Sequence, residues 1–198
     1  MAITKSTVKV PLGMRVSWFF PIKSEAAGTA PVYDAAIDMG HAVKGYLTIT
    51  TATCEIPGDD AIQARAEKFV SGQLDAETTM SDLEVNAKIF GHKYTEEEGE
   101  VSSSDDAAPD GGYGFVEPIL NKNKKLSYRA TFLHKVTAMA SSEKQEADTR
   151  KPGEFTFKNY AVSYMVQVDN ANNWRSRDDF ESLQEATAYI ERKAGQAT

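Results

Sequence analysis

Lys125-Leu126-Ser127-Tyr128-Arg129-Ala130-Thr131-Phe132-Leu133-His134-Lys135-Val136-Thr137-Ala138-Met139 is the stretch whose reading decides the fold. Its residues alternate with a period of two. Tyr128, Ala130, Phe132, His134 and Val136 fall on one face, and Arg129, Thr131, Leu133 and Lys135 on the other. A helix would need apolar residues every three or four positions, so the pattern predicts a strand with one dry and one mixed face. Such a strand belongs in the wall of a sandwich or barrel.

Outward from this strand the pattern repeats. Glu154–Asp169 reads as a second long strand whose parity changes midway, from Phe155 and Phe157 to Val162, Tyr164, Val166 and Val168. A bulge near Asn159-Tyr160-Ala161 accounts for the change, since a one-residue slip sends each later side chain to the opposite face. Met14–Phe20, Lys44–Thr53, Ala61–Val70, Gln73–Thr79 and Tyr113–Leu120 are further strands. Pro118 marks an edge or a break, because proline cannot donate to a ladder.

Two helices interrupt the strands. Ser81-Asp82-Leu83-Glu84 has the form of a capping box with Ser81 as the cap. Leu83, Ala87 and Phe90 share a face, and Gly91 supplies the stop, so the helix spans about 82–90. Ser182-Leu183-Gln184-Glu185 repeats the device for a helix of about 183–193, with Leu183, Ala186 and Ile190 as its stripe and Gly195 as its end. Both are too short to persist alone and must dock on the sheet. Ser24–Ala30, Thr95–Gly112 and Ser141–Gly153 read as loops, the last longer than an ordinary hairpin turn.

Composition narrows the function. The chain has 198 residues, a formal net charge of −7 and a single cysteine, Cys54. Basic residues are scattered apart from Lys122, Lys124 and Lys125, so the clustered cations that grip phosphates are missing. One cysteine excludes an intrachain disulfide and a thiolate zinc site. The start, Met1-Ala2-Ile3-Thr4-Lys5, carries no secretory pattern, and apolar runs fall far short of the ~20 residues that span a bilayer. A soluble protein made in a reducing cytoplasm is expected.

Catalytic motifs are missing too. His41, His92 and His134 have no metal-ligand spacing; His134 reads as a packed strand residue and His92 as a polar residue at a helix end. Gly111-Gly112-Tyr113-Gly114 lacks the Lys-Ser/Thr of a phosphate loop and reads as a turn entering a strand. Asp59-Asp60, Asp105-Asp106 and Asp178-Asp179 lack the spaced ligands of a calcium loop and read as solvated turns. Trp18 and Trp174 suit a core or an interface. No catalytic, cofactor or metal residue is nominated, and an enzyme is not expected. Long strands with few guarding charges, above all around Lys44–Thr53, would aggregate unless their edges were used in controlled self-association.

From Ser81 to about Trp174 the chain resembles the siphophage major tail tube protein family. The features come in order: a capped helix ending in Gly91-His92-Lys93-Tyr94, and an acidic serine-rich segment leading to Ala107-Ala108-Pro109 and Gly112-Tyr113-Gly114-Phe115-Val116. Tyr128–Val136, a Glu/Lys-rich loop, Phe155-Thr156-Phe157 and Trp174-Arg175 follow, and Ser182–Lys193 matches the closing helix. The resemblance implies a mainly β domain over 1–198, a β-sandwich or partly closed barrel of tail-tube type with flanking helices. It also implies hexameric rings stacked into a tube around a tape-measure protein, closed by terminator and tip proteins, in the tail of a virion. DNA would pass through the lumen without specific binding. The loops at 95–112 and 141–153 would then contact neighbouring subunits, through Glu96, Glu97, Asp105, Asp106, Glu143, Lys144, Glu146, Arg150 and Lys151. The alternative is a monomeric β-sandwich that binds a ligand or adheres through an aromatic platform drawn from Trp18, Trp174 and Tyr113. A small hydrolase is a third reading, with no residue to nominate.

Overall fold

The computed structural model describes residues 9–58, 61–80, 82–122, 124–143 and 159–196. Short strands open the chain: β1 (Lys9–Pro11), β2 (Arg15–Ser24), β3 (Val32–Tyr33) and β4 (Ile37–Asp38). A hairpin of two long strands follows, β5 (Ala42–Gly58) and β6 (Ala61–Thr78), then helix α1 (Leu83–Phe90). After a small hairpin of β7 (Lys93–Thr95) and β8 (Gly99–Val101) come β9 (Asp110–Asn121) and β10 (Leu126–Ala138). A 3-10 turn at Ala140–Ser142, β11 (Tyr160–Gln167), β12 (Arg175–Phe180) and α2 (Leu183–Lys193) complete the order.

Ten strands form one antiparallel sheet in the order β3-β2-β9-β10-β11-β6-β5, with β1 beside β9, β4 beside β2 and β12 beside β10. The mainly β expectation holds, at 56% strand and 14% helix, but the sheet is not closed into a barrel. It curls enough that Met14, just before β2, lies against Gly45 of β5.

The strand that decided the fold is buried on both faces, which corrects the expectation of one dry and one mixed face. Ala130 and Phe132 pack with Phe20, Tyr33, Tyr189 and Ile190 under α2. Leu133 and Val136 pack on the opposite side with Phe19, Leu74, Ile89, Tyr113 and Tyr164. Val136 leaves the face of Phe132 because the β9–β10 register shifts between Leu133 and Val136, a bulge invisible in the alternation. Pro118 sits inside β9, paired with Tyr128 of β10. Its carbonyl accepts from Leu12 N at 2.9 Å in the gap between β1 and β2. Its nitrogen, which cannot donate back, lies on that same side, where β1 ends at Pro11.

The glycine run is a correction as well. Gly111, Gly112 and Gly114 lie within β9, not in a turn before it. A Cβ on Gly112 would come within 2.7 Å of Phe132 Cζ, and one on Gly114 would overlap Ile190 Cγ2 of α2. The glycines make room for rings and a helix. The stretch 95–112 is likewise no plain loop, because it contains the β7–β8 hairpin and the start of β9.

Asp82 caps α1, its Oδ1 accepting from Glu84 N at 2.8 Å, whereas the sequence pointed to Ser81, which lies outside the described residues. Gly91 takes the left-handed stop at φ +79°. For α2 the capping box forms as read: Ser182 Oγ accepts from Glu185 N, and Glu185 Oε2 from Ser182 N, both at 3.2 Å. The bulge expected near Asn159-Tyr160-Ala161 is not found at Tyr160 or Ala161, because Tyr160–Val166 pairs in unbroken register with Gly72–Thr78; residues 154–158 lie outside the described set.

Candidate functional site

The most unusual surface is the β5–β6 hairpin, which the sequence split into three separate strands. Its register runs unbroken in direction from Ala42↔Thr78 to Gly58↔Ala61. β11 covers β6 only from Gly72 to Thr78. Beyond Gly72 the two strands continue for about eleven residues with no third strand beside them among the described residues, a ribbon of roughly 35 Å. Thr50–Glu55 and Arg65–Lys68 are exposed throughout. A two-stranded ribbon without a third strand or a core has little stability of its own.

A register shift between Thr50 and Thr51 leaves Val70 as the extra residue and resets the faces. One face then carries Thr51, Thr53 and Glu55 opposite Phe69, Glu67 and Arg65; the other carries Ala52 and Cys54 opposite Lys68 and Ala66. Arg65 bridges Glu67 at 2.9 Å and Glu55 at 3.8 Å, so the first face is polar and internally compensated. The second is small and nearly uncharged. β5 is the last strand of the sheet, and Thr48–Cys54 of it carries no charged residue to guard its edge. Exposed Tyr46, Ile49 and Val70 add apolar surface at the root.

The root is braced. Phe69 stacks on Trp174 with ring centroids 4.3 Å apart and planes 3° apart. The Arg175 guanidinium lies 4.2 Å from the Trp174 centroid and so caps its other face. Trp174 and Trp18 are thus half-buried packing residues, on opposite sides of the sheet. Tyr113 is fully buried. The three aromatics proposed for a ligand platform share no surface.

Two polar clusters lie inside the body. In the first, His92 is nearly buried between Asp106 (Nδ1 to Oδ2, 2.8 Å) and Glu143 (Nε2 to Oε2, 3.2 Å). Asn86 Nδ2 donates to Glu100 Oε1 at 2.7 Å and to Glu143 Oε1 at 3.1 Å. The Tyr160 hydroxyl donates to Asn86 Oδ1. Burial alone would lower the His92 pKa, but its hydrogen bonds to Asp106 and Glu143 and the charge of Glu100 outweigh it and raise the value. His92 is therefore the hub of a network, not an isolated polar residue at a helix end.

The second cluster has the order Ser176, His134, Asp169. His134 Nε2 lies 2.8 Å from Ser176 Oγ, and His134 Nδ1 lies 3.5 Å from Asp169 Oδ2 without a hydrogen bond. Asp169 Oδ1 is already committed to the backbone N–H groups of Ala171 and Asn173, at 2.9 and 2.7 Å. Burial lowers the His134 pKa and favours the neutral ring. The arrangement lacks the base–orienter bond of a nucleophilic triad. It ties β10 to β12 and to the turn before β12, which matches the reading of His134 as a packed strand residue.

Of the residues nominated for contact, the fold brings Asp106 and Glu143 together on His92. Glu96 and Glu97 lie exposed at the turn of the β7–β8 hairpin, and Asp105 is exposed after it. Lys144, Glu146, Arg150 and Lys151 lie outside the described residues. Sequence reasoning missed the ribbon beyond Phe69 as a single unit. The signal was the charge-poor run Thr48–Cys54, which overlaps the weakly guarded stretch Lys44–Thr53 but was not joined to Ala61–Val70. No helix among the described residues is long and apolar enough to cross a membrane. No family model matches the chain, and no curated protein matches it.

Proposed function

We propose that this chain is a structural subunit that assembles with copies of itself into rings and tubes, as a phage tail tube protein does. The observation that carries the reading is the β5–β6 ribbon. Among the described residues it has two unpaired edges, that of β5 along its outer side and that of β6 beyond Gly72. Pairing the β5 edge of one copy with the β6 edge of the next is a heterologous contact, and repeated by rotation it closes into a ring. Each ribbon then gains the neighbouring strands it lacks, and the barrel that one chain leaves open would be completed by several.

The sequence resemblance supports six-fold rings stacked around a tape-measure protein, with terminator and tip proteins at the ends, in a virion tail. The acidic balance suits a channel that repels phosphate and lets DNA pass. No catalytic role is assigned. Trp18, Trp174 and Tyr113 share no exposed face, which favours assembly over the ligand-binding alternative. Negative-stain microscopy and sedimentation velocity of the purified chain test the proposal. Rings or tubes are expected; a compact monomer at all concentrations would overturn it.

A further inference from the structure

We propose that His92, Glu100 and Glu143 form a binding site for a first-row divalent cation of the zinc class. One ligand atom from each lies within 4.8 Å of the other two. An ion about 2.1 Å from each ligand sets them roughly 3.4 Å apart, so the carboxylates need to close by about an ångström. The ligands come from three segments: the turn after α1, strand β8 and the residue following the 3-10 turn.

What separates this group from a chance meeting of acids is the shell behind it. Asp106 takes the Nδ1 side of His92 and is itself held by Ser103 N at 2.7 Å. That fixes the ring with Nε2 facing the two glutamates, as a metal-bound imidazole requires. Asn86 holds the Oε1 atom of both carboxylates, Tyr160 holds Asn86, and Glu143 Oε2 meets His92 Nε2 at 3.2 Å. Each of the three ligands has its far side fastened. Among the described residues neither glutamate is paired with a lysine or arginine, and His92 is the only cationic partner of Glu143. On loading, the ion replaces the Nε2 proton, which leaves to solvent. One nitrogen with two carboxylates favours zinc, cobalt or manganese over calcium or magnesium.

Isothermal titration of the tag-free full-length chain with Zn2+ tests the site, with Co2+ as the spectroscopic probe. One equivalent per chain is expected, with a rise in melting temperature and visible cobalt bands that lack thiolate charge transfer. Glu100→Gln and Glu143→Gln keep side-chain shape and should each weaken zinc at least tenfold. Cys54→Ser and His41→Asn should leave binding unchanged. No saturable zinc binding by the wild-type chain, thiolate bands in the cobalt spectrum, equal affinity for calcium, or affinity untouched by both glutamine variants would each overturn the assignment.

Discussion

Replacing Ala52–Lys68 by Asn-Gly should leave the folded subunit as stable as before and abolish its assembly. The replacement closes the hairpin at the Thr51↔Phe69 pair, so the Phe69–Trp174 stack remains. The side chains described within the deleted segment, Ala52–Glu55 and Arg65–Lys68, are all exposed, so these residues contribute next to no apolar burial. An isolated two-stranded ribbon is marginal in water, its ladder and the cost of ordering it nearly cancelling. The net change is therefore within about 1 kcal/mol, or about 2–4 °C in melting temperature for a chain of this size. Assembly responds differently. About ten ladder bonds to each neighbour, at about 0.5–1.5 kcal/mol net, would contribute about 5–15 kcal/mol per contact. Every 1.4 kcal/mol is about tenfold in affinity, so rings should vanish at any practical concentration. Differential scanning fluorimetry reads the first half and sedimentation velocity the second. A fall of more than about 10 °C would mean that the ribbon is part of the monomer's own core. Surviving tubes would mean that assembly uses another surface.

Three further outcomes follow from single residues. Cys54 is exposed on the small-residue face of the ribbon, so a maleimide should label it within minutes in the subunit and much more slowly once tubes form; equal rates in both states would remove the ribbon from the interface. Gly114→Ala would drive a methyl group into Ile190 and lift α2 from the sheet, costing about 1–3 kcal/mol in urea unfolding, whereas Gly28→Ala, set in open space, should owe its smaller cost to its positive φ alone. Asp179 accepts a forked pair from Arg129, at 2.8 and 3.1 Å, and a bond from Lys9, and these hold its carboxyl down at about 2 against 3.8 ordinarily. A depressed carboxylate stabilises above its unfolded value and ceases to as pH falls through the folded one. Asp179→Asn should thus cost about 1–2 kcal/mol at pH 7, after discounting for solvent, and the difference from wild type should shrink between pH 4 and pH 2; a constant difference would show that the carboxylate charge is not the cause.

What could be read from the sequence was whatever depends on neighbours along the chain. The α2 capping box, the glycine stops and the strand character of Leu126–Ala138 rest on local geometry, and all are present. What failed depends, the cap of α1 apart, on contacts distant in sequence. Asp82 displaces Ser81 as a cap one residue away, a margin that capping patterns do not resolve. The alternation in β10 gave no hint of a bulge, nor that helix α2 would cover one face while β11, β6 and α1 close over the other. The glycines of β9 looked like a turn because their reason, the rings of Phe19 and Phe132 and the branch of Ile190, comes from three other elements. His92, Glu100 and Glu143 are likewise unremarkable until the β7–β8 hairpin folds back on α1.

The ribbon shows why the two kinds of failure bear on function differently. A local pattern predicted charge-poor strands with unguarded edges there, and the described side chains are exposed; the missing fact was that among the described residues no third strand pairs with them beyond Gly72. A buried strand pair can be polar on neither face, and a solvent-exposed one is ordinarily guarded by charge at its edge. Thr48–Cys54 is neither hydrophobic enough to be a core strand nor charged enough to be a permanent edge. A β-rich run with uncharged, small and hydroxyl side chains suits backbone pairing with an identical strand, where the ladder supplies the affinity and bulky side chains would only obstruct closure. On the proposed assembly, the composition of the ribbon and its lack of a third strand among the described residues would both follow from one requirement, that its neighbours arrive with the next copy.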